Sequence, residues 1–239
     1  MSEKSWQSVE SYKYFDGLER IKDPGIDPSS HHYISHYLIF EWLKGYAYSY
    51  TQGVMLDYGC GGQPYRDFFS SKISKYIGAD VAAANEIVPD ILIVPGERVP
   101  LADESVDTVL STQTLEHVLD FNFYLAECFR LLRPGGALLL TAPMQWRLHE
   151  VPYDYFRFTR HGLAEVMAVN GFEVRHIMPC GGVYALLGQI FLSHLAEKGL
   201  RKKRLFRLVN RLAMWLDKKI PDYEDTLNWM CVGIKPAPQ

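Results

Sequence analysis

The stretch Val54-Met55-Leu56-Asp57-Tyr58-Gly59-Cys60-Gly61-Gly62-Gln63-Pro64 limits what this chain can fold into more than any other. An apolar run ends in a carboxylate and then breaks into glycines. Val54 to Leu56 reads as the end of a buried parallel strand, whose two covered faces require continuous apolar residues. Gly59, Gly61 and Gly62 permit a tight turn and let a ligand approach bare backbone. Tyr65 to Lys75 is expected to form a short helix with its free N–H groups toward the turn. Strand, glycine turn and helix together make a nucleotide-binding corner at the carboxyl end of an open α/β sheet. The phosphate-binding version spells G-x-G-x-x-G, and here Pro64 stands where the third glycine belongs. The carboxylate of Asp57 points to a ligand with a positive or hydrogen-donating part.

Asp57-Tyr58-Gly59-Cys60-Gly61 resembles the D-x-G-C-G motif of class I S-adenosylmethionine-dependent methyltransferases, in their small-molecule branch. Three later stretches follow in that family's order. They are Ile77-Gly78-Ala79-Asp80-Val81, then Asp107-Thr108-Val109-Leu110 leading to Leu115-Glu116-His117-Val118, then Leu131-Leu132-Arg133-Pro134-Gly135-Gly136. The resemblance runs from Met55 to Phe172, about half the chain. It implies an α/β Rossmann-like doubly wound sheet of about seven strands. It also implies S-adenosylmethionine as cofactor and methyl transfer as activity. On the residues that match, it places Asp57, Gly59, Cys60, Gly61, Val81, Gln113 and His117 around the cofactor.

Bulk properties agree with a soluble globular class. Of 239 residues, 48% are apolar and 22% charged, which is ordinary. A net charge of −3 gives no sign of a nucleic-acid partner. Cys60, Cys128, Cys180 and Cys231 form no C-x-x-C pair and suit small apolar roles in a reducing compartment. Met1-Ser2-Glu3-Lys4 does not open a signal-peptide pattern, and no run reaches the ~18 apolar residues of a membrane span. A cytoplasmic protein is the expectation.

A single domain over 1–239 is expected, with residues 1–52 as an N-terminal cover, 53–178 as the cofactor-binding core, a helical insert at 183–219 and the last strand at 225–235. Lys22 to Pro28 is turn chemistry, followed by an aromatic-rich helix from about His31 to Tyr50. His31 and His32 have no acid or cysteine at metal-ligand spacing, and no metal ligands are assigned. Asp80 ends the second strand at the distance past the glycine turn where a ribose diol is held. Its other reading is a cap for the Ala82-Ala83-Ala84 stretch. Asp90 to Val94 reads as the third strand. The family's adenine-reading acid falls here on Pro95 or Gly96, leaving backbone near Gly96 or the Glu97 side chain for that task. Gln113 leaves the carboxyl end of the fourth strand beside the cofactor. Glu116 and His117 either fix that loop or take part in chemistry.

The loop Gln145 to Thr159 is dense in aromatic and titratable residues, and loops beyond strand ends carry function more often than packing. His149, Tyr153 and Asp154 are the acceptor-side candidates, with His149, Glu150 or Asp154 as a base. The alternative is a folded-back lid with Asp154 paired to Arg157. Between the sixth strand and Asn228–Ile234 lie two helical stripes. One is Val183, Leu186, Leu187, Ile190, Phe191, His194 and Leu195. The other is Leu205, Leu208, Leu212, Trp215 and Leu216. Lys198 to Lys219 holds nine Lys or Arg against one acid, Asp217. This segment is either a packed helical pair, a homodimer interface, or a basic amphipathic surface for an anionic membrane. The expected acceptor is a small molecule or a lipid- or glycan-linked one. The competing function is a cofactor-binding protein with a non-methylating reaction or a regulatory role.

Overall fold

The computed structural model describes residues 27–82 and 87–237. The turn chemistry before Asp27 and most of the alanine stretch after Asp80 lie outside those residues. The strands are β1 (Gly53–Tyr58), β2 (Ile73–Asp80), β3 (Ile91–Leu92), β4 (Val106–Thr112), β5 (Leu132–Pro143), β6 (Glu173–Cys180) and β7 (Asn228–Ile234). They form one seven-stranded sheet in the order β3-β2-β1-β4-β5-β7-β6. β7 runs antiparallel to both of its neighbours, and the other pairings are parallel.

Alternate residues of the central strands serve the two faces, as the two-residue period of a strand requires. Met55, Leu110 and Leu139 face α1 (Tyr33–Trp42) and its continuation, packing on Trp42, Leu43 and Phe69. Leu56, Val109, Leu138 and Leu140 face the other way, against Leu125 and Leu131 of α4 (Phe121–Leu131) and Leu163 and Met167 of α5 (Arg160–Val169). Asp120 caps α4 by accepting the Phe123 N–H, and Thr159 caps α5 by accepting the Gly162 N–H. Each supplies the side-chain oxygen that a helix start lacks.

Four elements depart from expectation. The N-terminal helix breaks its regular winding in a wide turn at Leu43–Ala47 before a last turn, α2 (Tyr48–Tyr50). The helix after the glycine turn, α3, covers only Arg66–Phe69, because the chain enters β2 at Ile73. β3 shrinks to Ile91–Leu92, bracketed by Pro89 and Pro95, which cannot donate to a ladder. β5 starts at Leu132 instead of Ala137 because the glycines still pair. The Gly135 N–H donates to Lys235 O at 2.7 Å, and the Lys235 N–H to Gly136 O at 3.0 Å.

The insert consists of α6 (Val183–Glu197) and α7 (Lys203–Lys219). Its inward face differs from the leucine stripe. α7 packs inward through Phe206, Asn210, Ala213 and Asp217, while Leu205, Leu208, Leu212 and Trp215 are exposed. Backbone groups meet the Asn210 amide nitrogen and the Asp217 carboxylate, while Asn210 Oδ1 is buried without a hydrogen-bond partner. The Asn210 amide donates to Pro28 O (2.9 Å) and Ser30 O (2.8 Å), and Asp217 accepts the N–H groups of Gly182 and Ala185. Among the described residues, no helix is long and apolar enough to cross a membrane.

Candidate functional site

The glycine turn sits at the carboxyl ends of β1, β2 and β4, where the strand order reverses direction. Gly59 (φ +85°) and Gly61 (φ +49°) adopt left-handed backbone, which glycine reaches without the Cβ penalty. A Cβ on Gly59 would stand 2.3–2.9 Å from side-chain atoms of Thr114. The Asp80 carboxylate organises the turn. One oxygen accepts the Gly61 N–H at 2.8 Å and the other the Val81 N–H at 2.7 Å. The helix that Asp80 would cap lies largely outside the described residues, and the carboxylate borders a cavity of about 320 Å³.

That cavity is lined on the turn side by Tyr58, Gly59, Asp80 and Val81, along one flank by Ile93, Val94, Pro95 and Gly96, and beyond by Gln113, Thr114 and His117. Asp120, Phe123 and Tyr124 of the α4 start, with Glu150, Tyr153 and Tyr155 of the loop after β5, close it. A larger open groove of about 490 Å³ between Met144–Arg147 and α6 holds none of the glycine-turn residues.

Four residues expected at the cofactor do not line this cavity, and one of them is Gly61, whose N–H is turned to Asp80. Asp57 is buried beneath the turn, where its carboxylate takes a hydrogen bond from the Tyr76 hydroxyl. Cys60 packs its thiol over Gly78, where a Cβ would stand 3.1 Å from the sulfur. Glu97 is exposed, and its backbone N–H donates to Val94 O. Tyr58, Thr114, Phe123 and Tyr124 line the cavity without having been singled out. Tyr58 and Tyr124 stack with centroids 4.2 Å apart, and the Tyr124 hydroxyl donates to Tyr58 O or Ser111 Oγ at 2.8 Å.

Burial pushes the Asp57 pKa up to about 7, Asp80 adds to that rise, and the Tyr76 hydrogen bond opposes it. Between about pH 4 and 7 the folded chain therefore keeps a proton that the unfolded chain releases. This group favours the fold at low pH and loses that contribution as pH rises through 7. Asp57→Asn, which keeps an acceptor for Tyr76 and does not ionise, is expected to flatten that part of the stability profile. Urea midpoints at pH 5 and pH 8 measure it, and an unchanged difference between the two would count against the assignment.

On the acceptor side, the loop after β5 is clamped to the turn Leu115–His117. The N–H groups of Tyr155 and Phe156 donate to Glu116 O at 2.9 and 3.2 Å. This brings the His149 ring to 4.7 Å from that of His117, in a T-shaped arrangement. Tyr153 faces the cavity. Asp154 does not: its side chain is buried and doubly paired with Arg157, and it accepts the His149 N–H. Burial alone raises its pKa, but Arg157 and the His149 N–H outweigh that and hold the carboxyl below its usual range. The lid reading of the loop is thus met by this ion pair, without the short helix. Glu116 is fully buried, and burial pushes its pKa up to about 8. His117 is held below its usual value, again through burial.

Comparison with known proteins gives a consistent family. Residues 56–140 match the methyltransferase domain family. A probable S-adenosylmethionine-dependent methyltransferase of Mycolicibacterium smegmatis is 30% identical over 165 residues, 63% of each chain. A ubiquinone biosynthesis O-methyltransferase of Sinorhizobium fredii is 31% identical over 97 residues, 36% of this chain and 39% of that one. The chain thus spans less than two thirds of the length of these relatives. The solved structure of phosphoethanolamine N-methyltransferase 2 from Haemonchus contortus, with phosphomonomethylethanolamine and S-adenosylhomocysteine, overlays with a TM-score of 0.59. It is 19% identical, over 96% of this chain and 61% of that one, a likeness of fold. The glycine turn, the acid ending β2 and the 3-2-1-4-5-7-6 strand order agree with these matches, and residues 56–140 are similar to the methyltransferase domain family.

Proposed function

We propose that this chain transfers a methyl group from S-adenosylmethionine to a small-molecule acceptor. One observation carries the reading: a single cavity begins on the bare backbone of Gly59 and ends on His117, Glu150 and Tyr153. The residues fit the cofactor. Gly59 leaves room that a side chain would fill, Asp80 borders the position of a ribose, and Ile93, Val94 and Pro95 offer an apolar flank for a purine. When bound, the cofactor supplies a methyl group on a good leaving group, so positioning does much of the work. Asp80 holds the diol, and Gly96 backbone lies beside the base. Gln113 and His117 border the amino-acid part. Tyr153 lines the acceptor side; His149 does not line the cavity and stands behind it, edge-on to His117, with Asp154 positioning its ring. Incubation with labelled S-adenosylmethionine and a panel of hydroxyl, amine and carboxyl acceptors tests it. Equal yields of S-adenosylhomocysteine and methylated product are expected. Tight cofactor binding with neither product would leave a regulatory or non-methylating role.

The exposed stripe of α7 favours an acceptor at a lipid surface. Leu205, Leu208, Leu212 and Trp215 point to solvent among Arg204, Arg207, Arg211 and Lys218. Apolar insertion flanked by cations is how an interfacial helix binds anionic lipid, and each basic residue near such a surface contributes about 1 kcal/mol. Flotation with vesicles of rising anionic lipid content is expected to show salt-sensitive binding. Trp215→Ser with Leu212→Ser should abolish it. A concentration-dependent dimer without vesicle binding would assign the stripe to a second copy of the chain.

A further inference from the structure

We propose that Glu116, His117 and His149 form a site for a divalent transition-metal ion at the acceptor end of the cavity, with Glu150 at its rim. One ligand atom from each of the three lies within 4.8 Å of the others. His117 Nε2 stands 3.9 Å from Glu116 Oε1 and 4.0 Å from Glu150 Oε2. These gaps are slightly wider than the ~3.3 Å edge of a tetrahedron with bonds of ~2.0–2.1 Å, so the side chains need only draw in.

The hydrogen bonds fix which ring nitrogens are available. His117 Nδ1 is 2.8 Å from Tyr153 O, a carbonyl that can only accept. The proton therefore sits on Nδ1 and the lone pair on Nε2. His149 Nδ1 is 3.2 Å from both Asp154 Oδ2 and Arg147 O, again acceptors only, so its Nε2 also carries the lone pair. A carbonyl or carboxylate behind each ligating imidazole is the arrangement that orients histidines toward metals. Arg157 in turn holds Asp154. Glu116 supplies the independent sign of a missing ligand. Its side chain is fully buried, and neither carboxylate oxygen has a hydrogen-bond partner among the described residues. A buried carboxylate without partners is costly, and a cation is the partner that its neighbours are arranged to share.

Two imidazoles and a carboxylate select zinc-like ions over magnesium or calcium. Three protein ligands leave a position open, and His117 and Glu150 border the cavity on that side. The open position suits an acceptor that binds through oxygen, since metal-bound hydroxyls lose protons more readily. This last step rests on the methyl-transfer reading, whereas metal binding does not.

Equilibrium dialysis of the full chain against Zn²⁺, with metal counted by mass spectrometry, is the test. One Zn²⁺ per chain is expected. His149→Ala, on a partly exposed loop, and Glu116→Gln should each weaken binding at least tenfold. Replacing His31 and His36 by Ala, which removes the neighbouring histidine cluster, should leave it intact. Co²⁺ in place of zinc should give the visible absorption of a four- or five-coordinate site, lost in His149→Ala. No stoichiometric zinc, or zinc that survives both His149→Ala and Glu116→Gln, would overturn the proposal. Calorimetry with S-adenosylmethionine on the zinc-free chain separates the two readings. A chain that binds the cofactor but takes up no zinc in dialysis overturns the metal site alone, and one that takes up zinc but binds no cofactor overturns the methyltransferase reading alone.

Discussion

Gly59→Val is expected to reduce S-adenosylmethionine binding below detection by calorimetry and to lower stability by about 1–3 kcal/mol. Two independent effects combine. At φ +85° a β-branched residue is strained whatever space it finds. The added Cβ also meets Thr114, with its Oγ1 at 2.3 Å and Cγ2 at 2.4 Å. Thr114 lines the same cavity, so moving it aside narrows the space for a ligand. Thr114→Ala in the Gly59→Val background should recover part of the stability, because it removes the clash and leaves the backbone strain. Wild-type affinity in a folded Gly59→Val protein would refute the placement of the cofactor on this turn.

Asp80→Ala is expected to weaken the cofactor roughly tenfold to a hundredfold. Charge-assisted hydrogen bonds contribute ~1.5–3 kcal/mol, and each ~1.4 kcal/mol is a factor of ten in affinity. The carboxylate also accepts the Gly61 and Val81 N–H groups, so its loss loosens the turn. Asp80→Asn retains one acceptor oxygen and should fall between wild type and Ala. Equal affinities for the three proteins would remove Asp80 from the ribose site.

Much of the corner was legible because glycines and an acid at fixed spacing act locally. Gly59, Gly61 and Asp80 stand together because β1 and β2 are adjacent and parallel, which the apolar runs already imply. Asp57 was misplaced for the same reason that it was noticed. A carboxylate ending an apolar run is as easily buried under a turn as aimed at a ligand, and Tyr76, which holds it, lies 19 positions away. α7 shows the limit of periodicity. Its leucine stripe is the stronger pattern, yet Asn210 and Asp217 point inward, where backbone groups 182 and 35 positions earlier bond the Asn210 amide nitrogen and the Asp217 carboxylate. The meeting of Glu116 with His149 depends on backbone bonds from Tyr155 and Phe156, and no spacing rule reports those.

The antiparallel β7 has a consequence for how acceptor choice is encoded. β6 and β7 are hydrogen-bonded neighbours, Cys180 facing Asn228, so a short hairpin would suffice to join them. Instead α6 and α7 fill that hairpin, at the carboxyl end of β6 and therefore at the ligand-bearing end of the sheet. Closing a longer loop between ends already held together adds only about 0.6 kcal/mol for each doubling in length. The outer face of the helical pair can thus be recharged with little effect on sheet pairing, whereas its inner face stays bound to the body through Asn210 and Asp217, so the surface it presents can vary independently of the glycine turn.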